Sequence, residues 1–176
     1  MQGISSQKPF GLRTYARPDN EGDLILRWNG GKGPLSNDKV TVGRELINKW
    51  NVIVSRVFYE HGGKADKDGQ YRVLSILEIL GPGEVCSETY VIVKSFDSED
   101  EARNLYEYLR TKFVRFLILQ ATSSIMITKN SFQFVPIQDF SKPWTDSELY
   151  AKYGLTDDEI DFVESMIKTM EPGGDD

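Results

Sequence analysis

Histidine and cysteine are the side chains most often used for covalent or metal chemistry, and this chain of 176 residues has one of each, His61 and Cys86. A zinc cluster or a histidine-assisted hydrolase needs several such side chains close together. His61 precedes Gly62-Gly63 in a polar stretch, which is typical of a solvated loop residue. Cys86 has no histidine partner nearby, so a buried structural thiol is favoured over a nucleophile. The single cysteine excludes an intramolecular disulfide and fits a reducing compartment.

Acidic residues could instead hold Mg²⁺ for the cleavage of DNA. Metal-dependent nucleases of the common type combine two acidic ligands with a lysine in the spacing Asp/Glu-x-Lys. None of the lysines in this chain has an acidic residue two positions before it. A nuclease subunit with an atypical metal site, built from acids such as Asp66, Asp68 and Glu78, stays open as an alternative.

The segment Trp28–Gly33 (WNGGKG) contains glycines that could expose backbone amides to a phosphate. Lys32 is followed by Gly33 and Pro34, whereas a phosphate-binding loop continues with Ser or Thr into a helix. An ordinary turn is therefore the favoured interpretation. No strand–helix–strand unit for S-adenosylmethionine is visible, and no two prolines are adjacent, which excludes an Asn/Asp-Pro-Pro-aromatic motif. With no catalytic residue and no metal site predicted, the chain is expected to be a binding or recognition module.

The elements that would position such a module divide the chain into a β-rich first part and a helical second part. Alternation and β-branched content predict strands, listed here in chain order: Phe10–Arg17, Asp23–Trp28, Val52–Tyr59, Arg72–Leu80 and Thr89–Phe96. Residues 18–22 are predicted to form a hairpin-like turn between the first two strands, and Gly81-Pro82-Gly83 a sharp turn.

After Ser98 the apolar residues recur with a helical period. Ser98 and Glu101 form a capping-box signature, and a long helix is expected to follow, with a bend near Thr111. Ser131–Ile137 alternates and is predicted as a short strand with Phe132 and Phe134 on one face. Two further capping boxes predict two C-terminal helices: Thr145 with Glu148, and Thr156 with Glu159.

These elements predict an α+β fold and one domain over residues 1–176. Its parts would be a β-rich part (1–96), a long helix and strand (97–140) and an acidic helical tail (141–176). The net charge of −6 belongs mostly to the tail, so the rest of the chain could still present a basic face. No apolar run is long enough for a membrane span, and the N-terminus lacks the apolar core of a signal peptide. No membrane partner and a cytoplasmic location are therefore expected.

Several segments, in the right order over nearly the whole chain, match a known family as a combination, although no single one is decisive. In the first part they are Lys8–Thr14 (KPFGLRT), Asn29–Gly31 (NGG) and Gly83–Tyr90 (GEVCSETY). In the second part they are Tyr108–Leu117 (YLRTKFVRFL), Phe134–Phe140 (FVPIQDF), Trp144–Asp146 (WTD) and Tyr153–Thr156 (YGLT). Together they resemble the C-terminal region of bacterial restriction–modification adenine-specific DNA methyltransferases, including fused type II restriction enzymes.

The resemblance implies a target recognition domain that grips double-stranded DNA. In that family the cofactor-binding and catalytic motifs lie upstream. This chain therefore resembles a recognition domain separated from its catalytic domain. It implies no cofactor in this chain, S-adenosylmethionine in the upstream catalytic domain, and that domain of the same polypeptide as a partner. Catalysis by the chain alone is not expected.

Recognition of a duplex needs cations for phosphates and forked or amide side chains for base edges. Arg13 and Arg17 are expected on one face of the first strand, while Arg110 and Arg115 are expected on a basic side of the long helix. The complete set of predicted DNA-binding residues is Arg13, Arg17, Asn29, Lys32, Lys64, Arg110, Arg115, Lys129 and Asn130. Scattered cations also occur on solvated faces, and a protein-interaction module without DNA binding stays open as a second alternative.

Overall fold

A computed structural model describes residues 1, 8–60 and 64–170. It confirms the α+β class, because the strands lie in the N-terminal half and the α-helices follow residue 99. The chain folds into two compact units. The sheet unit contains the described residues of 3–56 and 77–102, and the helical unit contains those of 1–2, 57–76 and 103–176. Both units combine separated stretches, whereas the sequence analysis divided the chain into consecutive parts.

The strands of the described residues all belong to the sheet unit. They are β1 (Leu24–Trp28), β2 (Gly31–Leu35), β3 (Trp50–Ser55), β4 (Leu77–Leu80), β5 (Glu84–Cys86) and β6 (Tyr90–Phe96). One sheet has the order β2-β1-β5, with β1 antiparallel to β2 and parallel to β5. The other sheet has the order β4-β3-β6 and is antiparallel throughout.

Strand β3 is the central strand of the second sheet. Its sequence WNVIVS is rich in β-branched residues, and Val52, Ile53 and Val54 are completely buried. A strand that is buried on both faces has a continuous apolar sequence and not an alternating one. The predicted strand over 52–59 is therefore confirmed in its first part, and the structure ends it at Ser55.

The predicted first strand, Phe10–Arg17, is wrong. These residues form turns and irregular chain, and the burial of Phe10 and Leu12 accounts for the apolar positions in the pattern. Strand β1 does not pair back across residues 18–22. It pairs forward with β2 through the two-residue Asn29-Gly30 turn, because Asn-Gly suits the backbone of a tight hairpin.

The predicted long helix is two helices, α1 (Glu99–Arg110) and α2 (Lys112–Ala121), and the bend expected near Thr111 is confirmed. Thr111 leaves the helical conformation, with ψ at 148°. Its Oγ1 donates to the Tyr108 carbonyl at 2.7 Å and accepts from the Val114 amide at 3.3 Å. One hydroxyl therefore helps to end α1 and caps α2.

The predicted strand Ser131–Ile137 is also wrong. Lys129–Phe132 is a single 3-10 turn that begins with a reciprocal capping box between Thr128 and Ser131, and irregular chain follows. Phe132 is completely buried and Phe134 is 55% exposed, so the two rings do not share a face. The alternating residues belong to a turn and to irregular chain. Pro136 has no amide hydrogen and therefore cannot donate a hydrogen bond to a neighbouring strand.

The C-terminal helices are α3 (Asp146–Tyr153) and α4 (Asp157–Met166), and both predicted capping boxes are confirmed at Thr145 and Thr156. Gly154 ends α3 in the left-handed conformation, with φ at 65°. In the part of the chain that the structure describes, no helix has both the length and the apolar character needed to cross a membrane.

The helical unit is held together around a buried arginine. Arg115 is 1% exposed and donates to three backbone carbonyls: Arg110 at 3.0 Å, Arg72 at 3.1 Å and Lys168 at 2.8 Å. These carbonyls come from three separated stretches of the chain. Burial lowers the pKa of Arg115 to about 10, and the nearby Asp146 charge opposes that effect. The guanidinium therefore stays charged at neutral pH.

Replacing Arg115 by alanine is expected to destabilise the helical unit by about 3 kcal/mol or more, because each buried carbonyl left without a donor costs about 1–3 kcal/mol. Urea unfolding measures this change. The matched control is Lys129→Ala, an exposed cation whose loss is expected to change the free energy of unfolding by less than about 0.5 kcal/mol. Equal effects of the two substitutions would contradict the structural role of Arg115.

Candidate nucleic-acid interface

The predicted DNA-binding residues are divided between the two units. The sheet unit contains Arg13, Arg17, Asn29 and Lys32, and the helical unit contains Lys64, Arg110, Arg115, Lys129 and Asn130. His61 lies outside the described residues.

In the helical unit, the expected basic side of the long helix is turned inward. The Arg110 side chain is 10% exposed and is held by the Glu107 carboxylate and the Met170 carbonyl. Arg115 is buried, as described above, and Lys112 forms an ion pair with Glu164. The prediction that Arg115 reaches DNA is therefore corrected, because its guanidinium has no surface left for a phosphate.

The remaining predicted residues of the helical unit lie on the surface. Lys64, Lys129 and Asn130 are exposed, and Lys129 opens the 3-10 turn that follows Thr128. In the sequence, Lys64 is well separated from the other two. Within the described residues, no hydrogen bond or ion pair holds these three side chains in a common arrangement.

In the sheet unit, residues 13–17 form an exposed loop, called here the arginine loop. Tyr15 at its middle is 78% exposed, which is unusual for an aromatic ring that serves only the core. The side chain of Arg13 is 54% exposed, and Arg17 is exposed as well. An aromatic ring between two accessible arginines combines a flat amphipathic surface with two permanent positive charges.

The first end of the arginine loop is fixed by Glu88. Its carboxylate accepts from the Thr14 amide at 3.1 Å and from the Thr14 hydroxyl at 3.2 Å. It also forms long ion pairs with Lys8 at 3.8 Å and Arg13 at 3.9 Å. The Glu88 amide donates in turn to the Leu12 carbonyl at 2.8 Å. One residue next to β5 thus holds both the backbone and the charges at the start of the loop.

These contacts change the acidity of Glu88. Burial alone would raise the pKa of this carboxyl group. The hydrogen bonds from Thr14 and the charges of Lys8 and Arg13 outweigh that effect and leave the pKa below its ordinary value. Glu88 is therefore ionised at neutral pH, and its charge is part of the anchor.

The chain that follows the loop is fixed against β2 at Asp19, and Arg17 bonds within the loop itself. Arg17 folds back and donates to the carbonyls of Thr14 at 3.0 Å and Ala16 at 2.9 Å. The Asp19 amide donates to the Pro34 carbonyl at 2.8 Å. Asp19 also accepts from Lys39 and from the Ser36 amide, and these hydrogen bonds lower its pKa. Hydrogen bonds at both ends therefore limit the motion of the loop.

Asn29 and Lys32 belong to the β1–β2 hairpin, against which the chain that follows the loop is fixed. Asn29 is exposed in the tight turn, and Lys32 lies on β2 with its Nζ 2.7 Å from the Glu84 carboxylate. A strand and not a helix follows the glycines. The ordinary-turn interpretation of Trp28–Gly33 is therefore the one that fits, and a phosphate-binding loop is excluded.

The structure also places the residues of the alternative sites considered in the sequence, Cys86 and the acids Asp66 and Glu78. The Cys86 thiol is buried, and burial together with the charge of Glu78 raises its pKa, so it is a poor nucleophile at neutral pH. No group of three or more His, Cys, Asp or Glu side chains in the described residues could hold a metal ion. Glu78 is engaged by Arg27, and Asp66 accepts from the amides of its own loop.

Comparisons of this chain with protein-family models, with curated proteins and with solved structures gave no match.

Two parts of this arrangement were missed by sequence reasoning. Asp19 was expected only as a turn residue, and Tyr15 only as one position of an alternating strand. The position of the loop depends on Glu88, which holds Thr14, and that of Asp19 on Lys39, and both partners are distant in sequence. No local signal in the sequence identifies those partners.

The backbone that leads into the loop rests closely on Gly43. Gly43 has φ at +68°, and an added Cβ would lie 2.1 Å from the Pro9 carbonyl oxygen. Gly83 has a similar φ of +85° with no heavy atom within 4 Å of the added Cβ. Gly83→Ala is expected to cost about 1 kcal/mol for the left-handed conformation alone. Gly43→Ala is expected to cost about 1–3 kcal/mol more, because the backbone must move.

Thermal or urea unfolding of both glycine variants measures these costs. Since the two positions share the conformation and differ in the contact, the difference between them isolates the contact with Pro9. Equal destabilisation would contradict close packing at Gly43.

Glu88→Gln is expected to destabilise the sheet unit by about 1–2 kcal/mol at neutral pH, because the hydrogen bonds from Thr14 then go to a neutral acceptor and the ion pairs with Lys8 and Arg13 are lost. The pKa of Glu88 is lower in the folded state, so this contribution is present above the pKa of an unfolded glutamate, about 4.3. It is lost as the pH falls below that value and through the lower folded pKa. Urea titrations at several pH values measure the difference between the two proteins.

The control for this experiment is Glu21→Gln, which changes an exposed glutamate between the arginine loop and β1. Its effect is expected to be small at every pH. A destabilisation by Glu88→Gln that stays constant as Glu88 becomes protonated would show that its charge does not anchor the loop.

Proposed function

We propose that this chain is the DNA target recognition part of an adenine-specific restriction–modification methyltransferase. In this proposal the arginine loop, together with Asn29 and Lys32, contacts double-stranded DNA. The observation that carries it is the exposure of Arg13, Tyr15 and Arg17 on one loop that is anchored at both ends. The resemblance of the segments between Lys8 and Thr156 to that family supports the choice of DNA as the ligand.

The charges around the loop favour a polyanion. Lys8 and Arg13 both form long ion pairs with the single carboxylate of Glu88. Two positive charges therefore face one negative charge, which leaves a local net charge of one positive unit. Within the described residues, Arg17 donates only to backbone carbonyls, which do not neutralise it. A local positive surface can therefore exist on a chain whose net charge is −6.

The geometry also suits recognition, as distinct from simple attraction. An arginine presents a fork of donors that matches phosphate oxygens or the major-groove edge of guanine. Because the loop is held by Glu88 and by the edge of β2, less conformational entropy is lost when DNA binds. Asn29 adds an amide of the type that pairs with adenine edges.

In the whole enzyme, this part would fix the register of the protein on its site. The target adenine would be flipped into an upstream catalytic domain, where S-adenosylmethionine supplies the methyl group. Duplex binding without methyl transfer is accordingly expected of the purified chain. Methyl transfer to DNA by this chain alone would contradict the proposal.

Fluorescence anisotropy with a labelled duplex, at several salt concentrations, tests the interface. Arg13→Ala and Arg17→Ala are each expected to weaken binding about tenfold, and each to lower the slope of log K against log[salt] by about 0.9 if one phosphate contact is lost. The double variant is expected to lose both contributions.

The matched control is Arg44→Ala. Arg44 is also an exposed arginine of the sheet unit, and it also makes two local hydrogen bonds, to the side chain and carbonyl of Asn37. Its removal is expected to change affinity much less than removal of Arg13 or Arg17. Equal effects of all three substitutions, or no duplex affinity even at low salt, would overturn the proposal.

A further inference from the structure

The helical unit contains an apolar groove between α2 and α4. The groove has a volume of about 590 Å³. Its apolar lining comes from Phe113, Phe116 and Leu117 on α2, from Leu155, and from Phe162 and Val163 on α4. This surface lies in a different unit from the arginine loop, so the inference drawn from it does not depend on the proposed function.

The groove is open to solvent and is built from aromatic rings. Phe162 is 55% exposed and packs edge-on against Phe116, with ring centroids 5.9 Å apart. Phe113 stacks on Tyr153 at 5.3 Å, and Tyr153 is itself 42% exposed. Contiguous exposed apolar surface of this kind marks an interaction site more often than isolated exposed residues do.

The rim of the groove is acidic. Asp158 and Glu159 line it directly, and Asp157 and Asp161 are exposed on the same helix. Helix α4 contains no lysine, arginine or histidine. Asp158 and Glu159 belong to the first turn of α4, where acids also stabilise the helix dipole.

We propose that this groove docks an amphipathic helix of a partner protein that carries lysine or arginine beside its apolar stripe. Helix-in-groove recognition uses apolar anchors spaced along one face, and the α2–α4 groove supplies aromatic walls for them. The Asp158 carboxylate, and the Glu159 oxygen that the capping box with Thr156 leaves unused, pair with the flanking cations, which fixes orientation and speeds association. Phe162 is the central anchor, because it is large, aromatic and accessible.

A second copy of the chain is a poor occupant by charge. Among the described helices, α1, α3 and α4 each carry more acidic than basic residues. Helix α2 has two cations, of which Arg115 is buried and Lys112 is paired with Glu164. A second copy would therefore bring acidic helices against an acidic rim, which is unfavourable.

The test uses the full chain and a fluorescein-labelled model helix made of leucine and lysine, with leucine in an amphipathic stripe. Two matched peptides have glutamate in place of lysine, or the same composition scrambled so that no stripe forms. Anisotropy is expected to show saturable binding of the lysine helix and at least tenfold weaker binding of the other two.

Two pairs of variants separate the anchor and the rim from general effects. Phe162→Ser is expected to weaken binding of the lysine helix at least tenfold. Phe134→Ser, which changes an equally exposed phenylalanine of the same unit, is expected to leave that affinity unchanged. Asp158→Lys is expected to weaken binding of the lysine helix about fivefold or more. Asp100→Lys, at the same second position of α1, is the control for the loss of a first-turn acid.

Circular dichroism and thermal unfolding establish that each variant is folded. Equal binding of the lysine, glutamate and scrambled peptides would overturn the proposal, as would equal effects of Phe162→Ser and Phe134→Ser. Concentration-dependent dimerisation that Phe162→Ser abolishes, measured by sedimentation, would assign the groove to a second copy and would also overturn it.

Discussion

The carboxylate of Glu88 is the constraint on which the candidate interface depends. It holds the backbone of Thr14 and the charges of Arg13 and Lys8 at one place beside the sheet. The same carboxylate accepts hydrogen bonds from the loop and faces two cations. The loop therefore has a fixed start, and one of its positive charges is not balanced by Glu88. Without that anchor, Tyr15 and the two arginines would belong to a flexible stretch whose ordering would cost free energy on binding.

The cations of this chain have two different uses, and net charge does not distinguish them. Arg115 is buried and donates hydrogen bonds to three backbone carbonyls, and the Arg110 side chain is only 10% exposed. Arg13 and Arg17 remain accessible at the surface. Because the Arg115 guanidinium is buried and donates three hydrogen bonds to backbone carbonyls, removing it would leave those carbonyls without donors, and it is unavailable to any ligand.

Where the sequence analysis succeeded, the signals were local. The capping boxes at Thr145 and Thr156, the bend at Thr111 and the apolar run of β3 all depend on residues within about one helical turn or one strand. It failed at Phe10–Arg17 and at Ser131–Ile137, where an alternating pattern lies in turns and irregular chain. In the second segment alternation did not predict burial either, because Phe132 is buried and Phe134 is exposed. An alternating pattern does not specify which strand, if any, lies beside it.

The amino-acid sequence by itself determined the α+β class, the capping boxes that begin α3 and α4, the absence of a histidine or cysteine cluster and the positions of the arginines along the chain. Only the tertiary structure decided which arginines stay at the surface. Arg17 and Arg115 are chemically identical, yet one lies on an exposed loop and the other beneath three segments of backbone. That difference arises from contacts between residues tens of positions apart. A short stretch of sequence does not contain both partners of such a contact and therefore cannot predict its free energy.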